Sequence, residues 1–292
     1  MAHRGARFSL GGTALLIAVL SLAFFSDSGV CAEDRETLTG LVVIEGSGDC
    51  QVLVRALARA FEQENPGVRI EVPDSTGSRG GLRALAQGKC DLARIARPLS
   101  EEDKAGGITA AAFAISPIAF IVNAGNKGVK DINASQVADV YSGRMVSFDR
   151  LGGADAKIYP LSREVGDIVH GTLKSAVPDF GDFDPERVKV YYHSQELIAD
   201  VASHPGALGY VPLPEIAGEH AVVPLRFENV APTPENVANN SYRLQLECSL
   251  AWRIRSSKAA KAFVDFTRSA RARGVITALG GEPLGQTRPK GR

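Results

Sequence analysis

Residues 41–64 read LVVIEGSGDCQVLVRALARAFEQE, and they contain the signals of a strand, a loop and a helix in succession. The apolar LVVI predicts a buried strand, and the GSGD two residues later predicts a loop. Beyond the loop, Leu53, Leu57 and Phe61 recur at helical spacing, which predicts an amphipathic helix. A strand that leads through a glycine-rich loop into a helix is a building unit of α/β sheets.

The same unit recurs directly downstream. Residues 68–72 alternate apolar and polar side chains, residues 74–81 read DSTGSRGG before a helix predicted to about Gln87, and residues 91–95 form a third predicted strand. Strands separated by helices predict a parallel sheet with helices on its faces. Because both glycine-rich loops follow strands, we expect them to meet at the carboxyl edge of the sheet, where such proteins bind ligands.

Two crossings divide the rest of the chain. Residues 117–123 are an apolar run that we interpret as a strand leading into a second lobe, and residues 222–225 are interpreted as the return. The predicted fold class is therefore α/β, with two doubly wound lobes joined by two crossing hinge strands. The predicted organisation is a signal peptide (1–32), lobe I in two parts (33–117 and 223–285), lobe II (118–222) and a flexible tail (286–292).

The N-terminus has the pattern of an export signal. A basic start within the first seven residues is followed by the uncharged residues 8–26 and by small residues up to Ala32. We therefore predict cleavage after Ala32 and a periplasmic location. Two alternatives stay open: an uncleaved anchor, because the uncharged stretch approaches the roughly 20 residues that span a bilayer, and a lipid attached to Cys31.

Composition narrows the class of function. Cleavage removes two arginines and one aspartate from the 33 basic and 33 acidic residues, which leaves 31 against 32. This balance argues against a nucleic-acid partner, which needs a basic face. The remaining cysteines, Cys50, Cys90 and Cys248, are odd in number and cannot form a complete disulfide framework. No histidines stand at zinc-site spacing, so we expect neither a metal nor another cofactor.

Three loops and one further arginine have the chemistry to bind a small anion. Backbone N–H groups at helix N-termini offer donors and a positive dipole end, glycines allow close approach of the backbone, and hydroxyls with an arginine fork complete a cage. A nucleotide-type phosphate loop is excluded because the Gly-Lys-Ser/Thr sequence is missing. The candidate ligand-binding residues are Ser47, Gly48, Asp49, Thr76, Gly77, Ser78, Arg79, Gly80, Arg97, Arg163, Gly166 and Asp167.

Plainer interpretations stay open for several of these residues. Asp49 is also suited to cap a helix, residues 76–81 to form a flexible surface loop, and Arg163 to form a surface salt bridge. Ser194 and Asp167 each precede or begin a predicted helix and are interpreted first as caps.

Five segments, in this order and at this spacing, resemble the phosphate-binding component of ABC-type phosphate transporters: Val43-Ile44-Glu45-Gly46-Ser47-Gly48, Phe61-Glu62-Gln63-Glu64-Asn65-Pro66-Gly67-Val68, Ala96-Arg97-Pro98-Leu99-Ser100, Tyr141-Ser142-Gly143 and Pro205-Gly206-Ala207-Leu208-Gly209-Tyr210. The resemblance extends from about residue 39 to 281. It implies the two-lobed type II periplasmic binding protein architecture, closing on phosphate and delivering it to a membrane permease. It also implies that Ser47, Gly48, residues 76–80, Arg97 and Arg163 face the ligand.

The chain departs from this family pattern in two places. Family members commonly follow the second-lobe arginine with Ser-Gly-Thr, whereas this chain has Asp167-Ile168-Val169. The family often has an acid near Arg97, and this chain has a basic residue there. We hypothesise that Asp167 also faces the ligand and accepts the proton of hydrogen phosphate, since an ionised aspartate is an acceptor only. Sulfate, molybdate and tungstate therefore stay open as alternative ligands.

The sequence thus predicts a solute-binding protein and not an enzyme, because no metal-ligand cluster or nucleophile–base pair is visible. Its expected partners are inorganic phosphate or a similar oxyanion and an ABC-type permease, and we expect a monomer. A sensory or adhesive surface protein with the same binding fold is the alternative of a different class.

Overall fold

The computed structural model describes residues 37–181, 183 and 186–285. The predicted signal peptide, its cleavage point and the predicted tail at 286–292 lie outside the described residues. Within the described ranges, none of the helices is long and apolar enough to cross a membrane.

Strands and helices alternate through most of the described chain. The strands are β1 (Gly40–Gly46), β2 (Val68–Glu71), β3 (Leu92–Ile95), β4 (Ile108–Asn123), β5 (Asp131–Ile132), β6 (Tyr159–Arg163), β7 (Lys189–Tyr191), β8 (Ala207–Pro212), β9 (Val222–Pro224), β10 (Arg226–Phe227), β11 (Gln245–Arg253) and β12 (Glu282–Pro283). The helices are α1 (Gln51–Glu64), α2 (Gly77–Ala86), α3 (Glu101–Ala105), α4 (Ala134–Tyr141), α5 (Ile168–Ala176), α6 (Ser194–Ser203), α7 (Pro234–Ala238), α8 (Lys258–Phe266) and α9 (Ala270–Ala278). Short 3-10 turns occupy Gly48–Cys50, Phe148–Leu151 and Leu213–Ile216.

Most of the strands form one large mixed sheet with the order β2-β1-β3-β11-β4-β8-β6-β7, to which β9 and β12 add by pairing with β4. Strands β5 and β10 form a separate two-stranded sheet. The pairs β1–β2, β1–β3, β6–β8 and β6–β7 are parallel, while β11 runs antiparallel to both β3 and β4. The α/β fold class is therefore confirmed, and the parallel pairs bring the loops that follow β1, β2 and β3 to one edge, as expected for parallel strands.

The long strand β4 links two parts of this sheet. Its first ten residues pair with β11, and its last residues, from Ile118 onward, pair with β8 and β9. The apolar run predicted at 117–123 is thus the second half of a strand that begins nine residues earlier. The sequence did not indicate the first half, whose small residues at 110–112 lack a clear alternating pattern.

The residues of the predicted return crossing, 222–225, do not pair with the first part of the sheet. Strand β9 pairs with residues 121–123 of β4, and β10 pairs with β5, so both stay beside the second part of the sheet. The chain rejoins the first part later, where the Ile118 N–H donates to the Leu244 carbonyl and the Tyr242 hydroxyl donates to the Ile118 carbonyl. A three-residue apolar run cannot by itself specify which neighbour it pairs with, because register depends on long-range packing.

Helix α1 packs over the first part of the sheet through its apolar stripe. Leu53, Leu57 and Phe61 are buried, and Phe61 meets the edges of Phe263 and Phe266 with ring centroids 5.5 and 5.3 Å apart. Such edge-to-face pairs add to the burial of apolar area. The stripe therefore fixes the start of α1, and with it the loop that precedes α1. Helix α8 ends at Phe266, and α9 begins separately at Ala270.

Candidate functional site

A cavity of about 490 Å³ lies at the carboxyl ends of β1, β2 and β6. It is lined by Ser47, Gly48, Asp49, Ser75, Thr76, Gly77, Ser78, Arg79, Arg97, Arg163, Glu164, Val165, Gly166, Asp167, Ile168, Gly171 and Tyr192. Eleven of the twelve candidate residues are in this lining, and Gly80 is the exception. A larger groove of about 830 Å³ lies between α2 and α3, but the three candidate loops converge only on the smaller cavity.

The loop after β1 is held against β3 and α2 at very short range. Gly46 has a φ of +132°, and a side chain there would collide with the Arg94 carbonyl oxygen. A Cβ on Gly81 would lie 2.6 Å from the Gly46 Cα. Only glycine satisfies both the positive φ and this close approach. The glycine-rich sequence therefore serves first to bring the β1 and β2 loops together.

The loop after β2 differs from its prediction, because α2 begins at Gly77 and not after Gly81. The N-terminal turn of α2 therefore faces the cavity and contributes backbone N–H donors and the positive end of the helix dipole. The Ser78 hydroxyl accepts from the Ala96 N–H at 3.2 Å, which ties α2 to the end of β3. Gly80 packs against Thr76, on which a Cβ would impinge at 2.8 Å, and so it does not line the cavity.

Arg94 was not predicted, although it braces both of these loops from beneath. It is fully buried and donates to the carbonyls of Ser47 at 2.8 Å and Pro73 at 2.8 Å, to the Ile44 carbonyl, and to the Gln51 side chain at 3.0 Å. Burial lowers the pKa of Arg94 to about 10, so its guanidinium stays charged at neutral pH. This positive charge lies under the cavity without lining it.

Arg97 lines the cavity but has an acidic partner. Its Nη1 donates to the Asp103 carboxylate at 3.0 Å and to the Pro98 carbonyl at 2.7 Å. Its Nε is buried and has no hydrogen-bond partner among the described residues. Asp103 also completes the capping box of α3 with Ser100.

Arg163 is the last residue of β6 and lies in a strand, not in a loop. It is only 5% exposed, so the expected salt bridge is formed with Asp167 but is buried and does not lie at the surface. Its Nη2 donates to Asp167 at 2.7 Å and its Nη1 to the Ser194 hydroxyl at 3.1 Å. Its Nε is buried and has no hydrogen-bond partner in the described part of the chain. A buried guanidinium with a remaining donor is suited to bind an anion.

A polar cluster beneath the end of β6 fixes the Arg163 backbone. The Tyr210 hydroxyl accepts from the Arg163 N–H at 3.0 Å and lies 2.8 Å from the Ser162 hydroxyl and 3.1 Å from the His170 Nδ1. The Ser162 hydroxyl and the His170 Nδ1 are 3.5 Å apart, but both side chains are buried and neither lines the cavity. This cluster therefore positions Arg163 and offers no accessible nucleophile.

Asp167 uses both of its carboxylate oxygens. Oδ1 accepts from the N–H groups of Val169 and His170 at 3.0 and 3.2 Å, so the predicted cap of α5 is confirmed. Oδ2 accepts from Arg163. The cap and the ion pair together hold the carboxylate at the cavity wall, beside the guanidinium.

Asp49 does not cap α1, because Cys50 occupies the N-cap position and Asp49 lies in the preceding 3-10 turn. Its Oδ1 accepts from the Ser194 hydroxyl at 2.9 Å and its Oδ2 from the Ser47 hydroxyl at 3.1 Å. Burial, reinforced by the nearby negative charge of Asp167, raises the pKa of Asp49 to about 6 although Arg163 opposes the shift. Ser194 is not a cap either, since His193 holds that position.

A continuous hydrogen-bonded chain therefore crosses the site, from Asp49 through Ser194 and Arg163 to Asp167. Three arginines and three acids line the cavity, so its formal charges balance while α2 adds a positive dipole end. Among the described residues, no group of three or more His, Cys, Asp or Glu side chains could hold a metal ion. This arrangement is suited to enclosing a small oxyanion with backbone, hydroxyl and guanidinium donors.

Fold and site together define a class of protein, namely α/β proteins of the type II periplasmic binding fold, which is also the fold of the structural neighbours. The chain belongs to the PBP superfamily, since the model of the PBP superfamily domain matches residues 32–271.

Comparison with individual proteins identifies more specific relatives. The phosphate-binding protein PstS of Bacillus subtilis (strain 168) is 27% identical over 277 residues, which covers 87% of this chain and 88% of that protein. A structure of a phosphate ABC transporter substrate-binding protein with bound phosphate, from Clostridium perfringens, is 26% identical with a TM-score of 0.72 and covers 84% of this chain and 100% of its own. An ABC-type phosphate transport receptor from Vibrio cholerae, at 23% identity and a TM-score of 0.59, covers 82% of this chain and 99% of its own. The resemblance that the sequence segments indicated is confirmed.

Proposed function

We propose that this protein captures inorganic phosphate in the cavity between the β1 and β6 loops and delivers it to an ABC-type permease. The observation that carries the proposal is the buried Arg163, which lines the cavity and whose Nε has no hydrogen-bond partner among the described residues. The relatives named as phosphate-binding proteins, and the neighbour with bound phosphate, support this ligand. Ser47, Thr76, Ser78 and the N-terminus of α2 would supply the remaining donors.

The proposed mechanism is hinge closure of two lobes around the anion. Lobe I would contain β1–β3, β11 and the first half of β4, and lobe II the second half of β4 with β5–β10. The pairing of β9 and β10 favours a boundary of lobe II after Phe227 and not at residue 222. The hydrogen bond between Asp49 and Ser194 would then join one lobe to the other in the closed arrangement.

We further propose that the protein acts without catalysis, as an exported periplasmic monomer with no nucleic-acid partner. The Ser162 hydroxyl and His170 are both buried, which leaves the cavity without an accessible nucleophile–base pair of this kind. The relatives are named as binding proteins, and the balanced charge gives no basic face for nucleic acid.

Calorimetric titration of the ligand-stripped protein with phosphate, sulfate, molybdate and tungstate tests the proposal. Phosphate should bind most tightly, and small-angle scattering from the same samples should show a smaller radius of gyration when phosphate is present. Absence of phosphate binding, or tighter binding of another oxyanion, would overturn the phosphate assignment. An unchanged radius with bound phosphate would overturn hinge closure alone.

A further inference from the structure

Glu215 is a buried carboxyl group for which the proposed function has no use. It lies in the 3-10 turn Leu213–Ile216, directly after β8, and is 7% exposed. It does not line the cavity. A buried acid outside the binding site requires partners, because desolvation of a carboxyl group is costly unless hydrogen bonds offset it.

The two oxygens of Glu215 accept hydrogen bonds from two different helix starts. Oε1 accepts from the Val52 N–H at 3.1 Å, in the first turn of α1. Oε2 accepts from the Gln195 side-chain Nε2 at 3.0 Å, in the first turn of α6. Glu215 therefore joins the start of a helix in the first part of the sheet to the start of a helix in the second part.

Both helix starts lead directly into the cavity wall. Helix α1 follows the turn that contains Gly48 and Asp49, and its N-cap residue Cys50 makes no side-chain capping bond. Glu215 supplies the missing acceptor from 163 positions away in the sequence. The N-terminal N–H groups of a helix lack intrahelical acceptors.

Helix α6 begins with Ser194, which bonds both Asp49 and Arg163. Its second residue, Gln195, lies against the β1 loop, since a Cβ on Gly48 would be 3.5 Å from the Gln195 Oε1. A shift between the starts of α1 and α6 would therefore break the contact of Asp49 with Ser194 and move Arg163 relative to the β1 loop.

We propose that Glu215 is a positioning residue for the oxyanion site: by bridging the starts of α1 and α6, it assembles the chain of hydrogen bonds from Asp49 through Ser194 to Arg163. This inference rests on the proposed function for its effect on binding. Glu215 acts through the two helix starts and does not touch the ligand.

The groups around Glu215 indicate which protonation state of its carboxyl group bridges the two helix starts. Burial, with the negative charge of Asp49, raises the pKa of Glu215 to about 8, while the Val52 N–H, Arg94 and Gln195 act in the opposite direction. Cys50 is the further titratable group close by, and its thiol stays protonated because its own pKa is raised, first by its hydrogen bond with Cys248 and by burial. Glu215 is therefore mostly a neutral acid at pH 7.

A neutral carboxyl still accepts from Val52, and its O–H can donate to the Gln195 amide oxygen if that amide is turned over. Because the pKa in the folded protein is raised above the ordinary glutamate value, the favourable contribution of Glu215 is present at low pH. This contribution declines as the pH rises above the ordinary glutamate value, and the decline is complete once the pH has passed the folded-state pKa of about 8.

The test compares Glu215→Ala and Glu215→Gln with the wild type, and Glu196→Gln serves as a matched control at an exposed glutamate of α6. Titration with inorganic phosphate at pH 7 should show at least a tenfold loss of affinity in Glu215→Ala, about 1.4 kcal/mol. Glutamine reproduces a neutral acceptor and a donor, so Glu215→Gln should stay within about twofold of the wild type. Between pH 7 and 9 the wild type and Glu196→Gln should lose affinity relative to Glu215→Gln.

Unchanged affinity in Glu215→Ala, or parallel pH profiles of the wild type and Glu215→Gln, would overturn the inference. If Glu215→Ala does not fold, the glutamine comparison alone decides. Thermal unfolding of the ligand-free proteins gives a second readout that needs no ligand. Between pH 7 and 9, the thermal unfolding midpoint of the wild type should fall relative to that of Glu215→Gln. Identical pH dependence of the two midpoints would contradict the bridging role. A wild type that binds no phosphate refutes the proposed function, while this unfolding comparison still decides the role of Glu215.

Discussion

The two parts of the sheet each place one buried arginine near the cavity, and the two arginines are used in opposite ways. Arg94 directs its donors at three backbone carbonyls and a glutamine, and it lies beneath the site. Arg163 bonds Asp167 and Ser194, lines the cavity and keeps Nε without an acceptor among the described residues. The first arginine therefore holds loops in place, whereas the second is paired with Asp167 and, under the proposed function, binds the ligand. Burial alone does not distinguish a structural guanidinium from a binding one, but the identity of the acceptors does.

Of the replacements considered, that of Arg94 should lower the stability of the protein most. Its effect on stability should be larger than its effect on ligand binding. Arg94→Met keeps much of the volume but removes the arginine donor from three buried acceptors and one half-buried acceptor. A buried acceptor that is left unsatisfied costs about 1–3 kcal/mol. We expect the free energy of unfolding to fall by at least about 3 kcal/mol in denaturant titrations. Arg255→Met, at an exposed arginine, is the control. A loss below about 1 kcal/mol would show that the brace is dispensable.

Replacement of Arg163, in contrast, should affect ligand binding more than stability. Arg163→Ala should weaken oxyanion binding by about 2–5 kcal/mol, the range for removing one partner of a buried charge pair, or roughly 30-fold to several thousandfold. Arg163→Lys keeps the charge but loses the planar fork, so its affinity should be intermediate. Calorimetric titration measures both variants.

Stability should also fall in Arg163→Ala, in contrast to what a loop position would predict. Asp167 loses its ion-pair partner, and Asp49 loses the positive charge that opposes its raised pKa. Circular dichroism must therefore establish that the variant is folded before its affinity is interpreted. If the Arg163→Ala protein is folded and binds oxyanions with wild-type affinity, Arg163 does not contribute to binding. The proposed difference in role between Arg163 and Arg94 would then be wrong.

The sequence predicted the convergence of the loops because that convergence follows from local pattern. Alternating strands and helices place the loops after β1 and β2 at one edge, and glycines at 46 and 81 mark the close approach. Eleven of the twelve candidate residues consequently line one cavity. The start of α2 was misplaced because glycines at 77, 80 and 81 suggest a loop, although a helix N-terminus tolerates them.

The roles of Arg94, Ser194 and Glu215 could not be predicted, because each depends on partners that are distant in sequence. Arg94 reaches Ser47, 47 positions away, and Ser194 reaches Asp49, 145 positions away. The sequence around a polar residue at a strand or helix start does not show whether that residue is buried. The sequence therefore favours the more common role of such a residue, as a helix cap or a surface residue. One signal was available in retrospect: Arg94 interrupts the short apolar strand of residues 92–95, where a charged side chain needs buried partners.

The smallest expected effect concerns Asp167, the acid that pairs with Arg163. Its Oδ1 caps α5 and its Oδ2 accepts from Arg163. When an anion approaches Arg163, Oδ2 lies at the cavity wall and repels any ligand oxygen that carries no proton. Hydrogen phosphate has such a proton, whereas sulfate at neutral pH has none, so the carboxylate should favour phosphate by repelling its competitor.

Asp167→Asn keeps the size of the side chain and an oxygen for the α5 cap, but it removes the negative charge. We expect the preference for phosphate over sulfate to fall by about tenfold, or 1.4 kcal/mol, chiefly because sulfate binds more tightly. Competition calorimetry with both anions measures the ratio. Asp103→Asn is the matched control, because Asp103 also pairs with an arginine of the cavity and caps a helix but is not among the lining residues. If both variants keep the wild-type ratio and only their thermal midpoints move, Asp167 is a cap and an ion-pair partner. Selectivity must then come from another acceptor, of which Asp49, buried at the cavity with its pKa raised to about 6, is the next to replace.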